Sequence, residues 1–163
     1  MVYVDCRGFQ TTKQLRGHVG LNGGIMQGIV LQDKFPKVWQ GLKRSFLHQL
    51  ETCPAGGNVA VVFYCEQGFH SSVAMGALFK HICDNPGQGF NDKPKFTVAP
   101  VMNLSLKPGM PAQCGPCQSC FNEDDRAKYA KVYAMLQWIG KSDADPLPSS
   151  SSGPSAIQWQ HSE

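Results

Sequence analysis

The sequence predicts an α/β fold, namely a small three-layer domain in which helices flank a short, mainly parallel sheet. Three observations support this prediction. Apolar, β-rich runs occur at residues 2–4, 59–64 and 96–101. Segments with helix-spaced apolar residues separate these runs. The resulting order of strand, helix, strand, helix, strand is typical of a right-handed parallel α/β unit. A cysteine-rich loop and a C-terminal helix complete the predicted domain.

The length and composition indicate one globular domain followed by a tail. The chain has 163 residues, of which 42% are hydrophobic and 17% are charged. These values suit a single folded unit, which we place at residues 1–140, with the metal-type cysteine loop at 114–120. Residues 141–163 are rich in Ser and Pro, and we expect a flexible or partner-docking tail.

The charge pattern and the cysteine usage restrict the partners and the compartment. The net charge is +3, and Lys and Arg are scattered, with no run longer than Lys43-Arg44, which disfavours a nucleic-acid partner. No stretch approaches the roughly 20 apolar residues that span a bilayer. Strand-like sequence from Val2 leaves no room for a targeting peptide, unless one has been removed for an organelle. Seven cysteines, an odd number, then favour an intracellular, reducing compartment.

The first half of the chain contains one strand and one strong helix signal. The strand at residues 2–4 ends at Asp5-Cys6-Arg7-Gly8, and Gly20, Gly23 and Gly24 mark the following segment as a loop. A helix is predicted from Phe35 to near Thr52, because its apolar residues recur in steps of three and four. These residues are Phe35, Trp39, Leu42, Phe46 and Leu50.

The second strand and its helix follow directly. Residues 59–64 form a continuous apolar run, which predicts a central strand buried on both faces. A tight polar loop at 65–70 precedes a helix from Val73 to about Cys83, with Ser71 or Ser72 as its cap. A third strand at 96–101 and an amphipathic helix between residues 122 and 140 complete the pattern.

The loop at residues 65–70 is the strongest candidate site. Ligands in parallel α/β sheets bind beyond the carboxyl ends of the strands, where residues 5–7 and 65–70 both fall. A helix that starts near Ser71 directs backbone N–H groups and a partial positive charge into the loop, which favours an anion. The same field lowers the pKa of Cys65 and makes it a candidate nucleophilic thiolate. The predicted anion-binding residues are Arg7, Gly68, His70, Ser71 and Ser72.

Short motifs in the chain resemble a known family. Residues 65–73 read Cys-Glu-Gln-Gly-Phe-His-Ser-Ser-Val. This segment is similar to the Cys-X-X-Gly-X-His-Arg-Ser-Val loop in the C-terminal domain of the RNase adapter RapZ and its small relatives. The triplets at residues 5–7 and 103–105 resemble the same family, and a compact cysteine cluster resembles its eukaryotic relatives. The resemblance covers roughly residues 2–120 and implies an α/β domain that binds a phosphorylated ligand or a protein partner.

A second resemblance is to the rhodanese fold, including its phosphatase branch. Residues 5–7, the Gly17-His18-Val19 segment and a buried strand that ends in Cys-X-X-Gly-X-X-Ser follow that order. The spacing from Asp5 to His18 is stretched, and no Gly-Gly-aromatic segment follows the third strand. We therefore prefer the RapZ-like resemblance.

Both resemblances imply an Arg in the loop, and this chain has Ser71 at that position. A guanidinium binds two oxyanion oxygens at once, and losing one such contact typically lowers a rate by about 10²–10³. Arg7 or His70 could replace part of the charge, although Arg7 is as well placed for a salt bridge with Asp5. Asn103 also replaces a family His. The leading hypothesis is therefore a non-catalytic, degenerate module with an anion-binding loop. The alternatives are a cysteine-nucleophile enzyme of the phosphatase or rhodanese type and a structural subunit of a larger assembly.

The cysteine cluster at residues 114–120 predicts a metal site. Cys114, Cys117 and Cys120 have Cys-X₂-Cys-X₂-Cys spacing, and closely spaced thiolates need a cation or a disulfide. Zinc is the predicted metal, with an iron–sulfur cluster or metal-free cysteines as alternatives. A tetrahedral zinc site needs a fourth ligand from elsewhere. The candidates are Cys53, Cys65, Cys83, His70 and His81.

Overall fold

A computed structural model describes residues 1–84, 96–97, 99–102 and 104 of the chain. Its elements lie in the order β1, α1, α2, β2 and α3, with a 3₁₀ turn at Lys13–Leu15 between β1 and α1. The elements are β1 Val2–Asp5, α1 Gly23–Val30, α2 Phe35–Thr52, β2 Val61–Tyr64 and α3 Ser71–Asp84. The α/β class is confirmed, with three helices and a short two-stranded parallel sheet in the described residues.

The sheet is covered on one face only within the described part of the chain. The strands pair in parallel from Val2 with Val61 to Asp5 with Tyr64. Along both strands, the side chains on one face pack against the core and those on the other are exposed. Val62 and Tyr64 of β2 are 36% and 37% exposed. Burial of this strand on both faces was therefore a wrong prediction, and the described residues form two layers rather than three.

Helix α2 has the predicted bounds and supplies most of the aromatic core. Its Trp39 is buried, stacks on Phe35 with ring centroids 5.5 Å apart and meets Phe79 of α3 edge-on at 6.2 Å. Phe79 also contacts Phe46 of α2 at 5.0 Å and Phe63 of β2 at 5.8 Å. Edge-to-face and offset contacts at these distances are favourable, so Phe79 joins both layers of the core.

Helix α1 lies where the sequence predicted a loop. Asn22 caps it, since its side-chain oxygen accepts a 2.9 Å hydrogen bond from the Gly24 N–H. Gly23 and Gly24 occupy the first turn, where they interrupt no interior hydrogen bond. Four apolar residues then bury one face of the helix in the core. They are Ile25, Met26, Ile29 and Val30.

Two further predictions need correction. Helix α3 already includes Ser71 and Ser72, so they do not cap it, and both side chains are buried. The described residues of the predicted third strand, 96–97 and 99–101, have no regular secondary structure. Pro100 lacks the N–H that a strand ladder uses. Phe96 instead packs on Phe46 with ring centroids 5.4 Å apart.

The cysteine cluster at 114–120, the predicted C-terminal helix and the tail at 141–163 lie outside the described residues. None of the described helices has the length and apolar content needed to cross a membrane.

Candidate functional site

The carboxyl ends of β1 and β2 open into a cavity of about 570 Å³. Three stretches of chain line it: the turn after β1, the segment up to Arg16, and the loop between β2 and α3. The lining residues include Cys6, Arg7, Arg16, Cys65, His70 and Ser71. The sequence predicted a site at these strand ends, and the structure brings Arg7, Cys65, His70 and Ser71 to one cavity.

The sulfur of Cys65 lies among hydrogen-bond donors. The Gly68 N–H donates to the Cys65 Sγ atom at 3.2 Å, and the Ser72 Oγ atom lies 3.1 Å from it. The backbone N–H groups of Ser72 and His70 point to the same sulfur. Burial is the largest single influence and raises the pKa of Cys65. The hydrogen bonds from Ser72, Gly68 and His70 together outweigh it, so the pKa lies below that of an ordinary thiol.

The backbone of the loop requires Gly68. Its φ angle is +74°, which L side chains rarely adopt, and this conformation directs the Gly68 N–H back to the Cys65 sulfur. Glu66 and Gln67 also line the cavity, and their N–H groups donate to no group of the described residues. The loop therefore directs the Gly68 N–H to the sulfur and leaves two N–H groups without a partner among the described residues.

Arg7 forms a salt bridge with Asp5, one of the two roles that the sequence predicted for it. Its Nη2 atom lies 2.7 Å from Asp5 Oδ2, and its Nε atom contacts both carboxylate oxygens. Hydrogen bonds from Arg7 are the main reason that the pKa of Asp5 is lowered. The Arg7 guanidinium also lies 5.4 Å from the centre of the Tyr64 ring. The Asp5 carboxylate thus neutralises much of the Arg7 charge at the cavity.

Arg16 is a cavity residue that the sequence analysis missed. Its side chain forms no ion pair with another described residue. Its carbonyl oxygen accepts a 2.9 Å hydrogen bond from the Nε2 atom of His70, which is buried. His70 therefore attaches the Arg16 backbone to the start of α3. Arg16 therefore joins Arg7 as a second arginine among the residues that line the cavity, and it comes from a distant part of the chain.

Further contacts attach the segment of residues 9–20 to the loop and α3. The Gly20 N–H donates to the Phe69 carbonyl at 2.7 Å, and the Ser71 hydroxyl donates to the Phe9 carbonyl at 3.4 Å. A Cβ atom at Gly20 would lie 2.1 Å from the His70 carbonyl oxygen. Only glycine permits this approach. We call the three hydrogen bonds of residues 9, 16 and 20 with residues 69–71 the latch.

Cys6 also borders the cavity, although it is fully buried from solvent. Burial, followed by the negative charge that Cys65 carries as a thiolate, raises the pKa of Cys6 to about 12. The site therefore combines one thiol whose pKa is lowered with a neighbour whose pKa is raised.

The structure also gives the positions of the remaining predicted residues. Gly68 and Ser72 contact the Cys65 sulfur rather than the cavity. Cys114, Cys117 and Cys120 lie outside the described residues, so the predicted zinc site stays a prediction. Among the residues that the structure does describe, no group of three or more His, Cys, Asp or Glu side chains could hold a metal ion.

Comparison of the chain with protein-family models, with curated proteins and with solved structures finds no match. The function is therefore inferred from the geometry of this cavity.

Proposed function

We propose that this protein binds an oxyanion-bearing small molecule in the cavity and that Cys65 is the nucleophile that accepts a group from it. The observation that carries the proposal is the set of donors around the Cys65 sulfur. A thiolate is the reactive form of cysteine, and Ser72 with three backbone N–H groups stabilises that form.

The charges around the cavity favour an anionic substrate. Arg16 forms no ion pair with another described residue, so its guanidinium can bind two oxyanion oxygens in a fork. Glu66 and Gln67, whose N–H groups have no partner among the described residues, line the same cavity. The sequence hypothesis of a degenerate site depended on two replacements, the absence of a guanidinium from the loop and Asn103 in place of a family His. Arg16 weakens the first reason, because charge stabilisation depends on position in space rather than on position in the motif.

Two group transfers fit a cysteine nucleophile with an oxyanion site. In phosphoryl transfer, an S–P bond forms on Cys65 and a P–O bond breaks. The electron pair leaves on the alkoxide, which takes a proton from solvent. In sulfur transfer, Cys65 attacks the outer sulfur of a thiosulfonate. A new S–S bond forms, and the donor's S–S bond breaks to release a sulfinate, so no proton donor is needed. Both transfers begin with the same thiolate.

A second candidate function is the non-catalytic module of the leading sequence hypothesis, which binds a phosphorylated ligand without transfer. Two observations favour it. Asp5 neutralises Arg7, which leaves less positive charge to stabilise a transition state, and the acidic residue Glu66 is among those that line the cavity. A binding module needs the anion site but not the reactivity of Cys65.

Protection from alkylation tests the anion site. We expect iodoacetamide to label Cys65 at neutral pH and inorganic phosphate or sulfate to slow this labelling. In Arg16→Gln the anion concentration for half-protection should rise about tenfold, because a charge-assisted hydrogen bond contributes about 1.5–3 kcal/mol. Arg44→Gln, on the exposed side of α2, is the matched control and should behave as wild type.

Turnover separates the two candidate functions. Wild type should hydrolyse an aryl phosphate or transfer sulfur from thiosulfate to cyanide, and Cys65→Ser should do neither. Protection by phosphate without turnover in either assay would favour the binding module. If no anion protects Cys65, and Arg16→Gln labels as wild type does, the anion site itself is disproved.

A further inference from the structure

We propose that Cys65 and Cys6 are a redox pair, in which a hydroperoxide oxidises Cys65 and Cys6 then closes a disulfide with it. The pair is a modification site distinct from substrate binding. A regulatory role of the pair at the cavity rests on the proposed function. Formation of the disulfide depends only on the two thiols.

The sheet register places the two cysteines side by side. Asp5 pairs with Tyr64, and the next hydrogen bond, from the Cys6 N–H to the Tyr64 carbonyl at 2.8 Å, continues the ladder. Cys6 and Cys65 therefore follow on neighbouring strands and share the inner face that carries Val4 and Phe63. Neighbouring strands lie about 4.8 Å apart. A disulfide joins Cα atoms about 4.4–6.8 Å apart, and the spacing of neighbouring strands falls within that range.

The environments of the two thiols assign them different roles. Cys65 is partly exposed at the cavity, and its sulfur is stabilised as a thiolate, the form that attacks a peroxide. Cys6 is 0% exposed, so an oxidant in solvent meets Cys65 first. Both residues border the same cavity. Cys65 is thus the oxidised thiol and Cys6 the resolving thiol.

The disulfide forms in two steps, oxidation of Cys65 and attack by Cys6. The Cys65 thiolate attacks one peroxide oxygen, the O–O bond breaks, and hydroxide or alkoxide leaves. Sulfur is oxidised by two electrons to sulfenic acid, and the peroxide is reduced by the same two electrons. The Cys6 sulfur then attacks the Cys65 sulfur. The S–O bond breaks, the S–S bond forms, and the Cys6 proton leaves with the hydroxide as water.

The disulfide would inactivate the Cys65 nucleophile reversibly. Sulfinic and sulfonic acids form when a sulfenic acid meets more oxidant, and they are essentially irreversible. A disulfide with Cys6 intercepts the sulfenic acid before that stage. A reductant then restores the Cys65 thiolate and with it the activity of the cavity.

Peptide mapping of the full chain tests the pair. A reduced Cys53→Ala variant is treated with stoichiometric hydrogen peroxide, quenched with an alkylator and digested with trypsin without reduction. Trypsin releases Cys6 on residues 1–7 and Cys65 on residues 45–80, and the Cys53 substitution leaves Cys65 as the one cysteine of that second peptide. We expect the two peptides to appear as one disulfide-linked species that dithiothreitol separates.

Substitution of Cys6 provides the complementary measurement. In Cys6→Ala, treatment with two or more equivalents of hydrogen peroxide should carry Cys65 to sulfinic acid, because each of the two oxidation steps consumes one peroxide, and dithiothreitol should no longer restore its labelling. Cys83→Ala is the matched control, because Cys83 is buried in α3 away from the cavity, and it should still form the linked species. Circular dichroism establishes that each variant is folded.

The outcomes are distinct from those of the proposed function. If wild type gives no linked peptide, or if Cys65 links to another cysteine as readily, the redox pair is disproved. Phosphate protection and turnover of the reduced protein are unaffected by that result. If the linked peptide forms but no anion binds, the pair is confirmed and the proposed function fails.

Discussion

Replacing Ser72 by Ala removes one donor from the Cys65 sulfur and leaves the three backbone N–H groups in place. The Ser72 Oγ atom lies 3.1 Å from the Cys65 Sγ atom in a partly buried setting. A hydrogen bond to a charged group contributes about 1.5–3 kcal/mol, and about 1.4 kcal/mol is a factor of ten in a protonation equilibrium. Because the neutral thiol keeps part of this bond, we take the low end. At a pH where thiol predominates, Ser72→Ala should then hold about tenfold less Cys65 thiolate.

The observed rate should change less than the thiolate population, because thiolate nucleophilicity rises with pKa by about 0.4–0.5 logarithmic units per unit. Below the titration midpoint, reaction with an aromatic disulfide reagent should slow about threefold. Above the midpoint it should speed up about threefold, so the pH profiles of variant and wild type cross. Ser45→Ala is the matched control, since Ser45 lies in α2 and outside the cavity lining.

The assay is the pH dependence of Cys65 labelling from pH 5 to 10, read on its peptide in a Cys53→Ala background. Two results would refute the reasoning. One is a Ser72→Ala profile that superimposes on that of Ser45→Ala. The other is a parallel loss of rate at every pH, which would indicate damage to access rather than to thiolate stability.

Other parts of the structure lead to further predictions. Gly20→Ala should destabilise the fold by about 2–4 kcal/mol in urea unfolding, because its Cβ meets the His70 carbonyl at 2.1 Å and the latch opens. Gly17→Ala, with no atom within 4 Å, should change the free energy of unfolding by less than about 0.5 kcal/mol, and equal effects would contradict the latch. The free energy of unfolding should fall between pH 9 and 12 by up to about 1.4 kcal/mol per pH unit from Cys6, because its thiol stays protonated when folded and ionises when unfolded. Cys6→Ala should reduce this dependence and leave the contribution of Cys83, whose burial also raises its pKa to about 12, and an unchanged slope would argue against the raised pKa of Cys6. Elemental analysis should find one zinc per chain, lost when the cysteines at 114–120 are changed to Ser, and a metal-free wild type would contradict the zinc site.

The sequence predicted the elements in which local patterns decide the structure. The apolar spacing of α2 is strictly helical, and its bounds at Phe35 and Thr52 were correct. Helix α1 was missed because Gly23 and Gly24 indicate a loop by composition, whereas tertiary burial of Ile25 and Ile29 stabilises the helix. Exposure of one face of β2 was missed for a similar reason. An apolar run in the sequence does not specify whether a layer of helices covers each face of the strand.

The sequence likewise predicted some residues of the site and missed others. Cys65, Gly68 and Ser72 are close in sequence, so their association follows from a strand–loop–helix pattern. The position of Arg16 at the cavity depends on its contact with His70, and these two residues are 54 positions apart in the chain. No local motif contains that information. The only sequence signal near Arg16 was the glycine-rich composition of the segment around it. The structure explains one of these glycines, because Gly20 closely approaches the start of α3.

The latch makes the reactive thiol a property of the whole domain rather than of its loop. A fragment that begins at β2 would keep the loop motif but lose the carbonyls of Phe9 and Arg16 and the N–H of Gly20. Such a fragment should contain an ordinary cysteine. In the intact chain, any transient opening that detaches residues 9–20 should expose the Gly20 amide to hydrogen exchange and disturb Cys65 at the same moment. The two probes would then measure a single cooperative motion.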